Sequence, residues 1–494
     1  MNSVFLQRYS PPRIFGCAMI DAASDGRIML PLREKCFTEI DIMKIAWLVT
    51  IAIFMGAATV AEAANWYVRA GATGAKTGSD WTNAYTSLPS TLVRGDTYYI
   101  AAGTYGAYRF STANSGSTVV TIRKATVGNH GSSTGWNDVY GSGEAVFTSS
   151  GTTWTCAPSV GFVTIDGQRG TPGVVGSYGF RVTSTASRNG ANALFQIDTG
   201  GTFSSSGNCD NWIVKYVDFD WNNGTSAGSS GAGRCIQWNS GLKNDNTTFD
   251  HIWCHHSSGF GIYANAAGSN YVITNSRFSD NGGESSYHHE TLWNTDINGF
   301  TFVGNEIIDT KPGAVTGWLM MGNITNGLVA NNLFYCTDPA KCTTGGNGII
   351  ASWTAYSNSN VTIVNNTFAN LPSSGNPAIF FENTTNFTCR NNLVYTASFG
   401  WTGCTVNTNN ACGGGAGCGG TSAQTGLTTA IFRDWASKDL HLTADTQTGF
   451  SMATVISTDK DGTTRLSWDR GAYEFNNGSA TIPPPSNLRT AISQ

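Results

Sequence analysis

The chain has 494 residues, of which only 12% are charged, with 28 Lys and Arg against 32 Asp and Glu, while Gly reaches 59. A charged share of about 25% is usual. The small net charge of −4 gives no electrostatic case for nucleic acid or for a polybasic membrane patch.

Taken in chain order, the first pattern is Met43-Lys44, an apolar run over Ile45–Val60, and Ala61-Glu62-Ala63. A positive start, a short apolar stretch and a small-residue end predict a secretory signal peptide over 43–63, cut near Ala63 or Ala64. The run is shorter than the roughly 20 residues that cross a bilayer, so no membrane span is expected in the mature protein. Residues 1–42 are then read as an extension upstream of a true start at Met43. The expected locale is extracellular or on the cell surface.

Export gives the cysteines a meaning. Cys17 and Cys36 precede the cleavage site, and the remaining ten are an even number, compatible with disulfides in an oxidising compartment. Cys336 and Cys342, and Cys412 and Cys418, are close enough to close small loops. The spacings form no zinc signature.

Gly, Asn, Ser and Thr in this abundance disfavour long helices, because they lose helix entropy or compete for backbone hydrogen bonds. Internal repetition sets the architecture instead. Seven segments share one pattern: NWIVKYVDF (Asn211–Phe219), NTTFDHIWC (Asn246–Cys254), NYVITNSRF (Asn270–Phe278), GFTFVGNEI (Gly299–Ile307), NGLVANNLF (Asn326–Phe334), NVTIVNNTF (Asn360–Phe368) and NFTCRNNLV (Asn386–Val394). Their final apolar positions are 219, 254, 278, 307, 334, 368 and 394, giving steps of 35, 24, 29, 27, 34 and 26 residues. One solenoid coil per repeat fits that spacing.

A second short strand precedes each repeat, at Cys235–Asn239, Gly261–Asn265, Thr291–Asn294, Leu319–Asn323, Gly348–Ser352 and Ile379–Asn383. These runs are apolar or alternating and are bounded by Gly, Asn and Ser, which is strand punctuation. The Asn pairs 331/332, 365/366 and 391/392, with Asn275 and Asn305, predict a turn ladder. Asn tolerates the left-handed region, and stacked carboxamides bond to one another. Sequons such as Asn360-Val-Thr362 are by-products of that ladder.

On these residues the chain resembles the right-handed parallel β-helix, pectate-lyase-like superfamily, and within it the bacterial extracellular repeat proteins. The opening Asn65–Tyr105 resembles that family's first coil, the NxTIxNNxF repeats its body, and Asp439–Phe475 its closing coil. The resemblance implies an all-β, single-stranded parallel β-helix over 64–476 with loop insertions. A Pro-rich linker over 477–494 follows. The fold alone leaves chemistry open, since it serves lyases, hydrolases, epimerases and adhesins.

Aligning the coils on their last apolar position puts His256, Asp280 and Asp309 at one offset, two residues on. Glu284, His288, His289, Glu290 and Lys311 lie on the same coils. Asp280 and Asp309 are expected to hold a metal, Ca2+, through carboxylate oxygens. His256, Glu284, His288, His289, Glu290 and Lys311 are the candidate catalytic groups, with a Lys or His removing the proton α to a uronate carboxylate. Hydrolysis by Asp280 and Asp309, or by Glu284 and Glu290, is the alternative chemistry. Asp residues capping a stacked turn are the structural alternative.

Inward Ile236, Ile262, Leu292 and Ile379 would turn Gln237, Tyr263, Trp293 and Phe380 outward as a substrate-binding row whose flat faces suit sugar rings. Burial under a loop is the competing expectation. Phe249–Cys254 resembles the Trp-Ile-Asp-His motif of pectate lyases at Asp250 and His251, without the preceding Trp or a companion Arg-x-Pro-x-x-Arg. Asn294-Thr295-Asp296 is similar to the first polygalacturonase motif, without that family's Asp-Asp or Gly-His-Gly. Asp459-Lys460-Asp461-Gly462 is too short for an EF-hand loop and reads as a closing turn.

The expected function is therefore a carbohydrate-active protein on an anionic polysaccharide, as lyase or hydrolase. A non-catalytic, adhesin-like glycan-binding or structural β-helix is the alternative. Polysaccharide is the expected partner, and a monomer the expected state.

Overall fold

The computed structural model describes residues 63–170, 177–187, 193–197, 209–221, 233–238, 244–282, 290–313, 316–373 and 377–476. The expected signal peptide, apart from its last residue Ala63, and the expected upstream extension and Pro-rich linker lie outside these residues. Thirty strands are linked by parallel pairing, and one antiparallel pair, Phe432–Asp434 with Asp439–Leu442, stands apart. This is the expected parallel β-helix. Parallel strands joined by crossovers take the right hand because the strands themselves twist that way.

The seven repeat segments stack in order. Trp212 pairs with Thr247, Thr247 with Tyr271, Tyr271 with Phe300, Thr301 with Leu328, Leu328 with Thr362 and Thr362 with Thr388. The shorter upstream strands form their own track, where Ile236, Ile262, Leu292 and Leu319 align. Inward residues of every track are fully buried and form one continuous core that includes Phe219, Phe249, Phe278, Phe302, Phe334 and Phe368.

Each repeat segment bends in its middle, and the bend explains the asparagine pairs. The first residue of the bend takes a left-handed backbone: Tyr216, His251, Asn275, Gly304, Asn331, Asn365 and Asn391 all have φ between 50° and 72°. Asn adopts that region at little cost, and Gly at none. The second residue carries the ladder. The carboxamide oxygen of Asn332 accepts from the main-chain N–H of Asn305, that of Asn366 from Asn332, that of Asn392 from Asn366, and that of Asn410 from Asn392, at 2.8–3.1 Å. So Asn366, and not Asn365, holds the turn. The buried carboxamide of Asn365 has no hydrogen-bond partner among the described residues.

A second, exposed ladder runs along the repeat starts, where Asn246 donates to Asn211, Asn270 to Asn246, Asn360 to Asn326 and Asn386 to Asn360. Those positions also have positive φ.

All ten cysteines after Cys36 are paired: Cys156–Cys209, Cys235–Cys254, Cys336–Cys342, Cys389–Cys404 and Cys412–Cys418. The segment from Phe432 to Phe475 folds back along the outside of the later coils. Phe432, Leu440, Leu442 and Tyr473 cover the outward residues Leu333, Ala369, Leu393 and Ala411. Met452 and Ile456 cover Val303, Ala330 and Val364. Arg465 donates to Asn331, Ala472 to Thr367, Gly471 to Asn391 and Arg470 to Asn410. Asp459 accepts from the N–H groups of Asp461 and Thr463, which makes 459–462 the closing turn expected.

Candidate active site

After the bend, each repeat continues into a short strand whose inward residue is Val182, Phe219, Cys254, Phe278 or Ile307. Side chains alternate along a strand, so the residues on either side of that position face outward. Two outward rows result. One runs Arg181, Asp218, Trp253, Arg277, Glu306; the other runs Thr183, Asp220, His255, Ser279, Ile308.

The ionisable groups of these rows converge at Asp218, Asp220 and His255. His255 Nε2 lies 2.7 Å from Asp218 Oδ1, and its ring stacks on Trp253 at 4.0 Å. The other Asp218 oxygen accepts from Arg181 Nε at 3.0 Å, and Arg181 also pairs with Glu144 at 3.3 Å. Burial works against the charge on Arg181, but Asp218, Glu144 and Asp220 hold its pKa above the ordinary value. His256 sits in a left-handed turn with φ 58°. That turn swings its ring back, so that Nδ1 lies 2.9 Å from Asp220 Oδ1 and 2.8 Å from His255 Nδ1. Asp220, His255 and His256 bring one ligand atom each within 4.8 Å of the others, a group able to hold a metal ion.

The rows continue to a boundary. Arg277 lies over the Trp253 ring at 5.5 Å, and Glu306 pairs with Lys460 of the folded-back segment at 3.1 Å. Burial alone would raise the Glu306 pKa, but Lys460 and Arg277 keep it below its ordinary value.

Of the residues expected from the sequence, His256 enters this cluster, in company with Asp220 and His255 of its own and the preceding coil. Asp280 and Asp309 do occupy successive coils, as Ser279 pairs with Ile308. They share with His256 a left-handed backbone, with φ 53° and 48°, which is a backbone reason for the common offset. Asp309 turns its carboxylate to the N–H and hydroxyl of Thr337, at 2.7 and 2.5 Å, as a cap on the next coil. Asp280 is exposed. Lys311 is exposed, and its main chain bridges to Gly282.

Glu284, His288 and His289 lie outside the described residues. Glu290 is buried, with neither carboxyl oxygen hydrogen-bonded among the described residues. That burial pushes its pKa up to about 8.

The aromatic row exists as aligned. Gln237 pairs with Tyr263, Tyr263 with Trp293, Trp293 with Met320, Met320 with Ala351 and Ala351 with Phe380. Tyr263 and Trp293 stack at 6.2 Å. The row is partly roofed, since Trp353 packs on Trp293 at 4.9 Å and Tyr356 at 6.1 Å, leaving Trp293 only 8% exposed. Gln237 is buried and bonded to Arg234, whose guanidinium lies 4.8 Å from the Tyr263 ring centre.

The short motifs resolve into structure. His251 is a left-handed bend residue, 2.9 Å from Asp250 and stacked on Tyr216. Asn294 points into the core between Ala264 and Met321, while the Asp296 carboxylate accepts from Asn323.

Asp218, Asp220, His255 and Arg181 were not singled out from the sequence. The signal for three of them was present one residue before and one residue after each final apolar position, where 218, 253, 277 and 306, and 220, 255 and 279, fall. Those offsets are the outward-facing ones, whereas an offset of two falls on the turn.

No protein-family model matches the chain, and no curated protein does. Among solved structures it is similar to pectate lyase Pel9A, at 14% identity over 84% of this chain and 91% of that one, with a TM-score of 0.39. It is also similar to a rhamnogalacturonan lyase, at 12% identity over 63% of this chain and 83% of that one, TM-score 0.36. A third is a DFA-IIIase from Arthrobacter chlorophenolicus A6, at 12% identity over 70% and 83%, TM-score 0.33. At identities and scores this low the likenesses concern the fold alone.

Proposed function

We propose that this is a secreted carbohydrate-active β-helix that acts on an anionic polysaccharide lying along the outward rows, with its chemistry at Asp218, Asp220, His255 and His256. One observation carries the reading. On a chain so poor in charge, acids, imidazoles, guanidinium groups and a Trp face converge on a single outer surface. Arg277 suits a uronate carboxylate, and the imidazole–carboxylate cluster suits a cation or a proton in transit. Those are the requirements of elimination α to a carboxylate. The five disulfides support export, because such bonds persist in oxidising compartments.

A hydrolytic reading has one observation of its own: a buried Glu290 that stays protonated at neutral pH could act as a general acid. The two readings differ in their products. Purified protein is incubated with a panel of uronate polysaccharides, with and without calcium, and followed by ultraviolet absorbance and by reducing ends. Unsaturated products that vanish in Asp218→Asn support elimination. New reducing ends without absorbance support hydrolysis. Binding without either product supports the non-catalytic, glycan-binding alternative. N-terminal sequencing of secreted protein is expected to begin near Ala64 or Asn65, and a mature protein starting at Met1 would refute the export reading.

A further inference from the structure

We infer that Asp220, His255 and His256 form a transition-metal site, with two imidazole nitrogens and one carboxylate oxygen as ligands. The reasoning starts from proton positions. His255 Nε2 is 2.7 Å from Asp218 Oδ1, so in the neutral ring that nitrogen carries the hydrogen and donates it. Nδ1 is then left as a lone pair, a tautomer assigned from its partners. That lone pair faces His256 Nδ1 at 2.8 Å. Two ring nitrogens at this distance need something between them, either the N–H hydrogen of a neutral His256 or a metal ion.

Three features favour the metal. The first is spacing. Bonds of about 2.0–2.1 Å at angles near 90–110° place ligand atoms roughly 2.8–3.4 Å apart. The three separations here are 2.8, 2.9 and 3.6 Å, close to that range on all three sides.

The second is the outer shell. Asp218 fixes the His255 ring through its far nitrogen, and Arg181 fixes Asp218 in turn at 3.0 Å. A carboxylate behind a ligating imidazole orients the ring and raises its basicity. The third is access. Asp220 and His255 side chains are only 9% and 6% exposed, whereas His256 is 35% exposed. Two ligands are thus held rigidly, and the third is the one that solvent and an entering ion reach.

The donor set also selects the ion. Calcium takes six to eight oxygen ligands, and this site offers one carboxylate beside two imidazoles. Imidazole suits zinc, copper, iron and nickel. The ion expected here is therefore not the one suggested by carboxylates alone. The inference rests on coordination geometry and stands whether or not the protein cleaves a polysaccharide.

The test uses chelator-treated purified protein, titrated separately with Zn2+, Co2+ and Ca2+ by calorimetry, with the visible spectrum of the Co2+ form as a second readout. One Zn2+ per chain is expected, and a Co2+ absorption band. His256→Ala should weaken Zn2+ binding by at least tenfold and abolish the Co2+ band. Asp218→Asn should weaken it by about 10–100-fold. Because His256 is partly exposed, its Ala variant is expected to fold, which circular dichroism checks before titration. No Zn2+ or Co2+ binding, binding unchanged in folded His256→Ala, or tighter binding of Ca2+ than of Zn2+ would each overturn the inference.

Discussion

Replacing Asn366 by Ala isolates what the buried ladder contributes. The Asn366 carboxamide oxygen accepts from the Asn332 main-chain N–H at 3.0 Å, and its nitrogen donates to Val329 O and Val364 O at 3.0 Å. Val364 O also accepts from Asn331, and Asn332 Nδ2 also donates to Phe302 O, so those groups keep a partner. The Asn332 N–H is the group left buried and unmatched, and Val329 O loses a donor. An orphaned buried group costs about 1–3 kcal/mol, so the Asn332 N–H by itself predicts a loss in that range. The neighbouring Asn365→Gly variant removes a side chain without hydrogen bonds among the described residues from a left-handed position, and its effect should stay within about 1 kcal/mol. Urea unfolding of both variants measures the contrast. If Asn365→Gly proves as damaging as Asn366→Ala, the division of labour within each Asn pair is wrong.

Three further outcomes are expected. Burial lifts the Glu290 carboxyl to about 8 from its ordinary 4.5, so the fold retains a proton there that the unfolded chain releases. Stability from this group is full below about pH 4.5 and drains as pH rises toward 8; Glu290→Gln should flatten that decline in melting temperature, and parallel profiles would refute it. Cys156 and Cys209 close a loop with a sequence separation of 53, so the Cys156→Ser/Cys209→Ser variant should lose about 4 kcal/mol in denaturant unfolding. Arg465 is buried against Glu474 and four main-chain or amide oxygens; Arg465→Met takes the cation from Glu474, whose carboxylate keeps four main-chain N–H donors, and strips a donor from the other oxygens, so it should cost about 3–5 kcal/mol, read by thermal unfolding.

The coil pattern was legible because the same physical demand recurs at each step. Every repeat needs inward residues such as Phe219, Phe278 and Phe334, and a left-handed bend where Asn275, Asn331 and Asn365 stand. The outward aromatic row was legible for the same reason, since two-residue alternation fixes Trp293 once Leu292 faces in. Its roof was not, because Trp353 and Tyr356 arrive from a connection with no repeat period. The chemical cluster was half visible. A shared offset drew His256 together with Asp280 and Asp309, but what that offset encodes is backbone sign, φ of 48–58°. The groups that converge with His256 are reached by strand pairing, Asp220 with His255 across one coil, and by a ring turned backward out of a turn. A linear alignment on apolar positions does not contain that rotation.

The folded-back segment changes how the solenoid comes apart. In a stack where each coil touches only its neighbours, stability sums locally and ends can fray one coil at a time. Here a single strap is bonded to Asn331, Thr367, Asn391 and Asn410, one residue from each of four successive coils. Loosening any one of them strips contacts from the rest. These coils are thus bound into one cooperative block. Hydrogen exchange should release their amides together, while the coils before Asn275, which the strap does not reach, open in their own order.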